Sequence, residues 1–333
     1  MKKLLYINNY NCPVRKDIGI TNNHMWGIDK LAEKYDVTYA NVPNNIIKVK
    51  FKGVTLINNI LRNFILLVKY FKFPIVYSAC GDMTTAFAFA NYFHLGKRKL
   101  YMIQHHGGVK IWFSGSYSSV MFISPIIANC YKLSNKKIIN WGGCPDYAKH
   151  FISNTPILTY DFISAGKSGR DHECMIKAAN QINAKTIIIT GYNKTLYDKS
   201  KITIISGNSA QKNSMKYDDV YKLYTQSRFI VIPVRKKNGK ACYSLSGLTT
   251  FVDAAVLNKP ILISDNTNIG VDVEKLGIGL SYHAGDENDM KRKMETLLSL
   301  SNEQYYEMCS NMRTLSHKYT YDCFCKQILE IIN

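Results

Sequence analysis

The run Ser246-Gly247-Leu248-Thr249-Thr250-Phe251-Val252-Asp253-Ala254-Ala255-Val256-Leu257-Asn258-Lys259-Pro260-Ile261-Leu262-Ile263-Ser264 decides how this chain is read. A small polar loop opens a helix from Thr249 to Leu257, and an apolar strand follows at Pro260–Ser264. The same alternation extends upstream. It predicts strand Asp161–Ala165, a helix over 172–182, strands Thr186–Thr190 and Ile202–Ser206, helix Asp218–Gln226 and strand Phe229–Pro233. A Lys-rich loop, 235–246, leads into the quoted run. Downstream, helices are expected over 287–300 and 303–330.

The first half repeats the pattern: strand Leu4–Ile7, a helix around Trp26–Lys34, strand Val37–Val42, a helix over 54–72, strand Ile75–Ser78, helix Thr84–Phe93 and strand Leu100–Gln104. Strands that alternate with helices, with loops at the strand C-termini, belong to a parallel doubly wound sheet. Around residues 135–160 the pattern breaks at Ile138–Trp141 and Gly142-Gly143-Cys144-Pro145. The expected fold class is therefore α/β, two Rossmann-like domains facing a cleft. Their expected bounds are 1–150 and 151–315, with a C-terminal helix, 316–333, crossing back to the first domain.

Ligands of open parallel sheets bind beyond the strand C-termini, where loops meet helix N-termini. Gly166-Lys167-Ser168-Gly169-Arg170 lies in such a loop. Its glycines let the backbone approach an anion, and Lys167 and Arg170 would neutralise a diphosphate; a plain tight turn would use the same residues. Ser246-Gly247-Leu248-Thr249-Thr250 offers free N–H groups and hydroxyls to a phosphate. One turn on, Asp253 is placed either to accept from vicinal ribose hydroxyls or merely to complement the helix dipole. Gly277-Ile278-Gly279 and Gly285-Asp286 mark further turns.

In this order and at these separations, the stretch Tyr217–Glu330 resembles the C-terminal domain of GT-B glycosyltransferases of the large sugar-nucleotide-dependent, nominally retaining class (glycosyltransferase group 1, family 4-like). Ala165-Gly166-Lys167-Ser168-Gly169-Arg170-Asp171 resembles that class's first C-domain loop. The first half matches in architecture only. The resemblance implies that Asp253 holds the nucleotide ribose, in place of the second glutamate of a paired-glutamate signature. It implies that Gly166, Lys167, Arg170, Ser246 and the amides of Gly247, Leu248 and Thr249 hold the diphosphate, and that the loop from Gly207-Asn208 faces the base. Gly19, Lys236 and Ser244 are further donor-loop candidates. The sequence departs from the class in two respects: the ribose acid is one methylene shorter, and Ser244, Leu245 and Ser246 stand where the first glutamate is expected. No Asp-x-Asp motif occurs. No metal and no cofactor is expected, only a UDP- or GDP-linked sugar as co-substrate, with basic side chains offsetting charge on the departing phosphate.

Composition bounds the partners. The 333 residues are 46% hydrophobic and carry a formal charge of +19. Residues 1–150 hold 20 Lys+Arg against 6 Asp+Glu, so the excess lies in the first half. Such a balance points to an anionic partner or to a solvated basic face. Nine scattered cysteines with no CxxC pair indicate neither a zinc site nor a disulfide framework. No apolar run reaches the ~18 residues of a membrane span.

His105 and His106 follow a strand near the expected sheet centre, and Asp17 lies with Gly19 in the first strand–helix loop. All three are candidates to take the proton of an acceptor hydroxyl. The segment 54–72 carries a broad apolar face (Val54, Leu56, Ile57, Ile60, Leu61, Phe64, Ile65, Val68, Phe71) ringed by Lys48, Lys50, Lys52, Arg62, Lys69 and Lys72. Two readings stay open: a buried helix with basic residues at its rim, or a helix lying on an anionic membrane.

The sequence thus points to a bacterial glycosyltransferase of the cell envelope, cytoplasmic and peripheral to the inner face of the membrane. It would move a sugar from a nucleotide donor to a glycan, or to a lipid-linked surface glycan in polysaccharide biosynthesis. Rivals are a sugar-nucleotide epimerase or hydrolase, a non-catalytic GT-B subunit, and a basic nucleic-acid-binding protein. The last ranks well below the transferase reading, and no nucleic-acid partner is expected, because the aromatics mostly fall within strand and helix patterns.

Overall fold

The computed structural model describes residues 1–9, 21–43, 46–49, 53–153, 157–166, 169–191, 196–206, 215–235 and 245–333. The chain divides into two compact units, Met1–Asn140 with Phe324–Asn333, and Trp141–Cys323.

Unit 1 is built on strands β1 (Lys2–Ile7), β2 (Tyr35–Tyr39), β3 (Ile75–Ser78), β4 (Lys99–Gln104), β5 (Ser119–Phe122) and β6 (Lys136–Ile138). They form one parallel sheet in the order β2-β1-β3-β4-β5-β6. In β1, Leu4 pairs with Val37 on one side and Ile75 on the other, and Leu4–Ile7 are all buried. A strand covered on both faces needs an unbroken apolar run, which is why it was visible in the sequence.

Helices α1 (Ile28–Leu31), α2 (Val54–Lys69), α3 (Thr85–Tyr92) and α4 (Pro125–Asn129) belong to this unit. The helix expected around Trp26–Lys34 is instead a 3₁₀ turn, Asn22–Met25, followed by the short α1. Trp26 (φ 57°) and Gly27 (φ 78°) are left-handed and interrupt it. β5 and α4 were not foreseen, although Ser124 caps α4 by accepting from the Ile127 amide at 3.2 Å, with Pro125 in the first turn.

Helix α2 does not lie in the core. Its inward residues are Asn58, Arg62, Asn63 and Leu66. Asn58 Oδ1 accepts from the Ile46 and Ile47 amides at 3.1 and 2.8 Å. Asn63 Nδ2 donates to the Asp82 carbonyl at 2.8 Å, and Arg62 reaches the Met83 sulfur at 3.3 Å. The apolar face points to solvent: Leu56, Ile60, Phe64 and Val68 are 65, 59, 62 and 62% exposed. This overturns the buried-helix reading, because polar inward residues hydrogen-bonded to the neighbouring turns fix the helix with its apolar face outward.

Unit 2 holds α5 (Pro145–Lys149), β7 (Tyr160–Ala165), α6 (His172–Asn180), β8 (Thr186–Thr190), β9 (Ile202–Ser206), α7 (Tyr217–Thr225), β10 (Ser227–Ile232), α8 (Leu248–Val256), β11 (Ile261–Ser264), β12 (Gly279–Tyr282), α9 (Glu287–Leu298) and α10 (Asn302–Ser316). The sheet is parallel, in the order β12-β11-β10-β7-β8-β9. In α8 every residue except Thr249 is buried, so this helix is enclosed all round, with Thr250 and Asp253 as its buried polar residues. It ends at Asn258, left-handed at φ 54°. The buried Lys259 then donates to the Thr225 and Ser227 carbonyls at 2.9 and 2.7 Å.

The long closing helix expected over 303–330 is divided into α10 and α11 (Tyr321–Ile332). In the break, the Gly143 amide donates to the Tyr319 carbonyl at 2.8 Å and the Tyr321 amide to the Gly143 carbonyl at 2.7 Å. Helix α11 begins in unit 2 and ends in unit 1.

Candidate functional site

Counted from its own first strand, the sheet of unit 2 has the order 3-2-1-4-5-6 of the dinucleotide-binding fold, with the reversal between β7 and β10. A crevice opens beyond the C-termini of the two strands flanking such a reversal. A cavity of about 790 Å³ lies there. Ala165, Gly166 and Arg170 line it from the loop after β7, and Leu245, Ser246, Gly247, Thr249 and Thr250 from the loop and first turn of α8. Thr190, Ile205 and Ser206 contribute from the ends of β8 and β9, and Met215, Lys216, Tyr217, Val220 and Tyr224 from the approach to α7 and the helix itself.

The two loops at the reversal are tied together. The Asp171 amide donates to the Pro233 carbonyl and the Arg235 amide to the Gly169 carbonyl, each at 2.8 Å. Gly166 is at φ 142°, and a Cβ there would meet Arg170 Nε at 2.9 Å, so the glycine makes room for the guanidinium. Arg170 is buried, and it donates from Nη2 to Thr250 Oγ1 at 2.9 Å. Its Nε has no partner, and among the described residues no carboxylate pairs with it. Burial pushes its pKa below the usual value. A buried cation without a counter-ion is costly and favours an anion beside it.

Helix α8 adds to this field. Its N-cap is Gly247 at φ 100°, with no side-chain cap, so the positive end of the helix is left for a ligand. A Cβ at Gly247 would lie 2.5 Å from Ile232 Cγ2, so the tight packing excludes any larger residue. Leu248 is turned to other work: its amide donates to the Leu245 carbonyl at 3.1 Å and its side chain is buried. Its neighbours Gly247 and Thr249 line the cavity instead.

Asp253 lines the cavity from the far side of that turn. Tyr217 Oη donates to its two carboxylate oxygens at 2.8 and 2.7 Å, and Tyr221 Oη donates to Oδ1 at 2.6 Å. Burial raises the Asp253 pKa to about 7, against the opposing hydrogen bonds from Tyr221 and Tyr217. Burial and the neighbouring carboxylate hold both tyrosines well above their ordinary pKa, so they remain donors. A carboxylate has about four acceptor positions, so two phenols leave room for a ligand hydroxyl. The Tyr147 ring packs on both tyrosines, and its hydroxyl donates to Asp218. Sequence reasoning missed this aromatic support. Tyr217 and Tyr221 stand four residues apart, one turn on the same helix face, and that was the available signal.

Beside the cavity, His172 is buried with Nε2 unpartnered, and burial together with Arg170 and Arg235 lowers its pKa to about 4. Lys167, Gly207, Asn208, Lys236 and Ser244 lie outside the described residues, as do Asp17 and Gly19.

In unit 1, His105 and His106 follow β4. The His105 ring stacks on Trp26 with centroids 4.6 Å apart, and its Nε2 is buried without a partner. Burial and then the nearby His106 lower its pKa to about 4, so the ring is neutral near pH 7 and a poor proton acceptor there. His106 is exposed, and its carbonyl accepts from Gln104 Nε2 at 2.7 Å and Tyr131 Oη at 2.9 Å.

No protein-family model matches the sequence, and no curated protein matches it either. Solved structures do match, over nearly the full length of both chains. A glycosyltransferase from Rickettsia africae aligns over 99% of this chain and 97% of its own, with TM-score 0.64 and 13% identity. Anabaena HepE in complex with UDP aligns over 99% of each chain, with TM-score 0.62 and 12% identity. The E. coli trehalose-6-phosphate protein bound with UDP-2-fluoro glucose aligns over 99% of each chain, with TM-score 0.71 and 9% identity. The fold of this chain is the GT-B glycosyltransferase fold, α/β with two Rossmann-like units.

Proposed function

We propose that the chain is a glycosyltransferase that takes a sugar from a nucleoside diphosphate donor held in the unit 2 cavity. The observation that carries this reading is Arg170: a buried guanidinium with no carboxylate partner among the described residues, lining a cavity that also receives the N-terminus of α8, where Gly247 gives no side-chain cap. As the bond from the anomeric carbon to the diphosphate oxygen breaks, negative charge grows on the leaving phosphate. Fixed donors aimed at that oxygen stabilise it without reorganising. Arg170 and the first turn of α8 supply this positive field, with Lys167 and Lys236 as additional cations, so no divalent metal is required. Asp253 accepts from a ribose hydroxyl.

The complexes solved with UDP and with a UDP-sugar favour uridine as the base over guanosine. His106 and Asp17 are the proposed bases for the acceptor hydroxyl, and His105 the proposed neutral hydrogen-bonding group. The acceptor is proposed to be a glycan on a lipid carrier, at the inner face of a bacterial membrane. The basic first half supports that placement.

Thermal unfolding with UDP, GDP, CMP, ADP and their common sugars tests the reading. UDP or a UDP-sugar should raise the midpoint of the wild type and leave Arg170→Ala and Asp253→Ala unmoved. No shift with any nucleotide would overturn it.

A further inference from the structure

We propose that the outward face of α2 is a membrane-insertion surface for an anionic bilayer. This names the contact surface behind the membrane placement above, and it is tested separately from the donor cavity. The helix is amphipathic with its polarity reversed: Asn58, Arg62 and Asn63 face the protein, while Leu56, Ile60, Phe64 and Val68 face solvent. Asn58 and Asn63 are already hydrogen-bonded inward, so a rotation that buried the apolar face against its own unit would break those bonds. Beside it, the same surface continues. An apolar cavity of about 590 Å³ runs between α2, Phe89 of α3 and the 109–113 loop, with Trp112 on its wall. Trp112 is 53% exposed, with the Lys110 ammonium 3.8 Å from its ring centroid.

Charge chooses the occupant. Residues 46–120 contain ten Lys+Arg and one acid, Asp82. Lys48, Lys69, Lys72, Lys97, Lys99 and Lys110 are all exposed. A second copy of this face would set cations against cations, whereas an anionic leaflet offers hydrocarbon to the apolar stripe and phosphates to the lysines. Each lysine near such a surface strengthens binding by about fivefold. Each inserted Leu, Ile or Phe strengthens it by about tenfold or more.

The test uses the full chain and vesicles of phosphatidylcholine alone or mixed with phosphatidylglycerol. Trp112 is a built-in reporter, since the other two tryptophans, Trp26 and Trp141, are buried. The wild type should float with the phosphatidylglycerol vesicles and not with phosphatidylcholine alone. Trp112 emission should move to the blue and be quenched by brominated acyl chains, and ~0.5 M salt should weaken binding. The variant Ile60→Gln/Phe64→Gln/Val68→Gln should bind at least ~100-fold more weakly, with its unfolding midpoint and UDP response unchanged. The inference fails if the wild type ignores anionic vesicles at low salt, or if the triple variant floats equally well. It also fails if the wild type is a dimer that the variant breaks into monomers. Quenching of Trp112 in the unmodified protein decides the matter even if the variant does not fold.

Discussion

Helices α8 and α2 flank sheets of the same parallel kind, yet they treat their apolar residues in opposite ways. In α8 the apolar side chains are packed all round, and only the N-terminus is left for a ligand. In α2 the polar residues are packed and the apolar ones are left in water. The first helix spends its surface on the core and works through its backbone end. The second keeps its surface free, which a folded chain tolerates only where something else covers it. The two proposed contacts thus lie at a helix end in one unit and along a helix face in the other.

The contrast is most sharply tested by removing one phenyl ring from each helix. Phe251, fully buried in α8 and edge-on to Tyr319 at 5.1 Å, should cost about 3–5 kcal/mol of stability as Phe251→Ala in denaturant unfolding. Arg170→Ala should weaken UDP binding by about 100-fold in calorimetry. The ligand-free midpoint should hold or rise, since the substitution removes a buried unpaired charge. A falling midpoint with unchanged affinity would make Arg170 structural.

Asp253 should show itself in the pH dependence of stability. Its folded pKa of about 7 lies above the unfolded value of about 3.9. Its contribution is therefore fully present below about pH 3.9 and lost as pH rises through about 7. Asp253→Asn should flatten that part of the profile, seen as a midpoint that gains on the wild type between about pH 4 and pH 7. Nucleotide affinity of the wild type should rise over the same range, because the ionised carboxylate is the better acceptor. The smallest effect is expected from Phe64→Ala on α2, within about 0.5 kcal/mol in the same unfolding assay. A loss comparable to that of Phe251→Ala would show that α2 packs inward after all.

Much of this was legible because buried parallel strands write themselves as short apolar runs, as at Ile75–Ser78 and Ile261–Ser264. The loops that line the unit 2 cavity were legible too, since glycine beside arginine at a strand end is a local pattern. What failed was non-local. β12 was hidden because it starts at the last residue of Gly277-Ile278-Gly279, which reads as a turn. Gly279 is needed there because a Cβ would fall 1.9 Å from the Ile261 carbonyl oxygen of the paired strand. The tyrosines on Asp253 depend on α7 lying against α8, a contact spanning 36 residues for Tyr217. The 54–72 pattern fixed that one face was apolar, but periodicity carries no information about which side the protein is on. Only the partners of Asn58 and Asn63 decide that.

The unpaired guanidinium of Arg170 has a consequence for the life of the protein in a cell. Without ligand, the fold carries a buried charge that no acid among the described residues neutralises, and the proposed diphosphate would relieve that cost. A ligand at about 100 times its dissociation constant adds about 2.7 kcal/mol of stability. Shifts of about 1–2 kcal/mol already change how much protein survives proteolytic turnover. If the unit 2 cavity holds a nucleotide sugar as proposed, the supply of that donor would also shift how long the chain resists proteolysis.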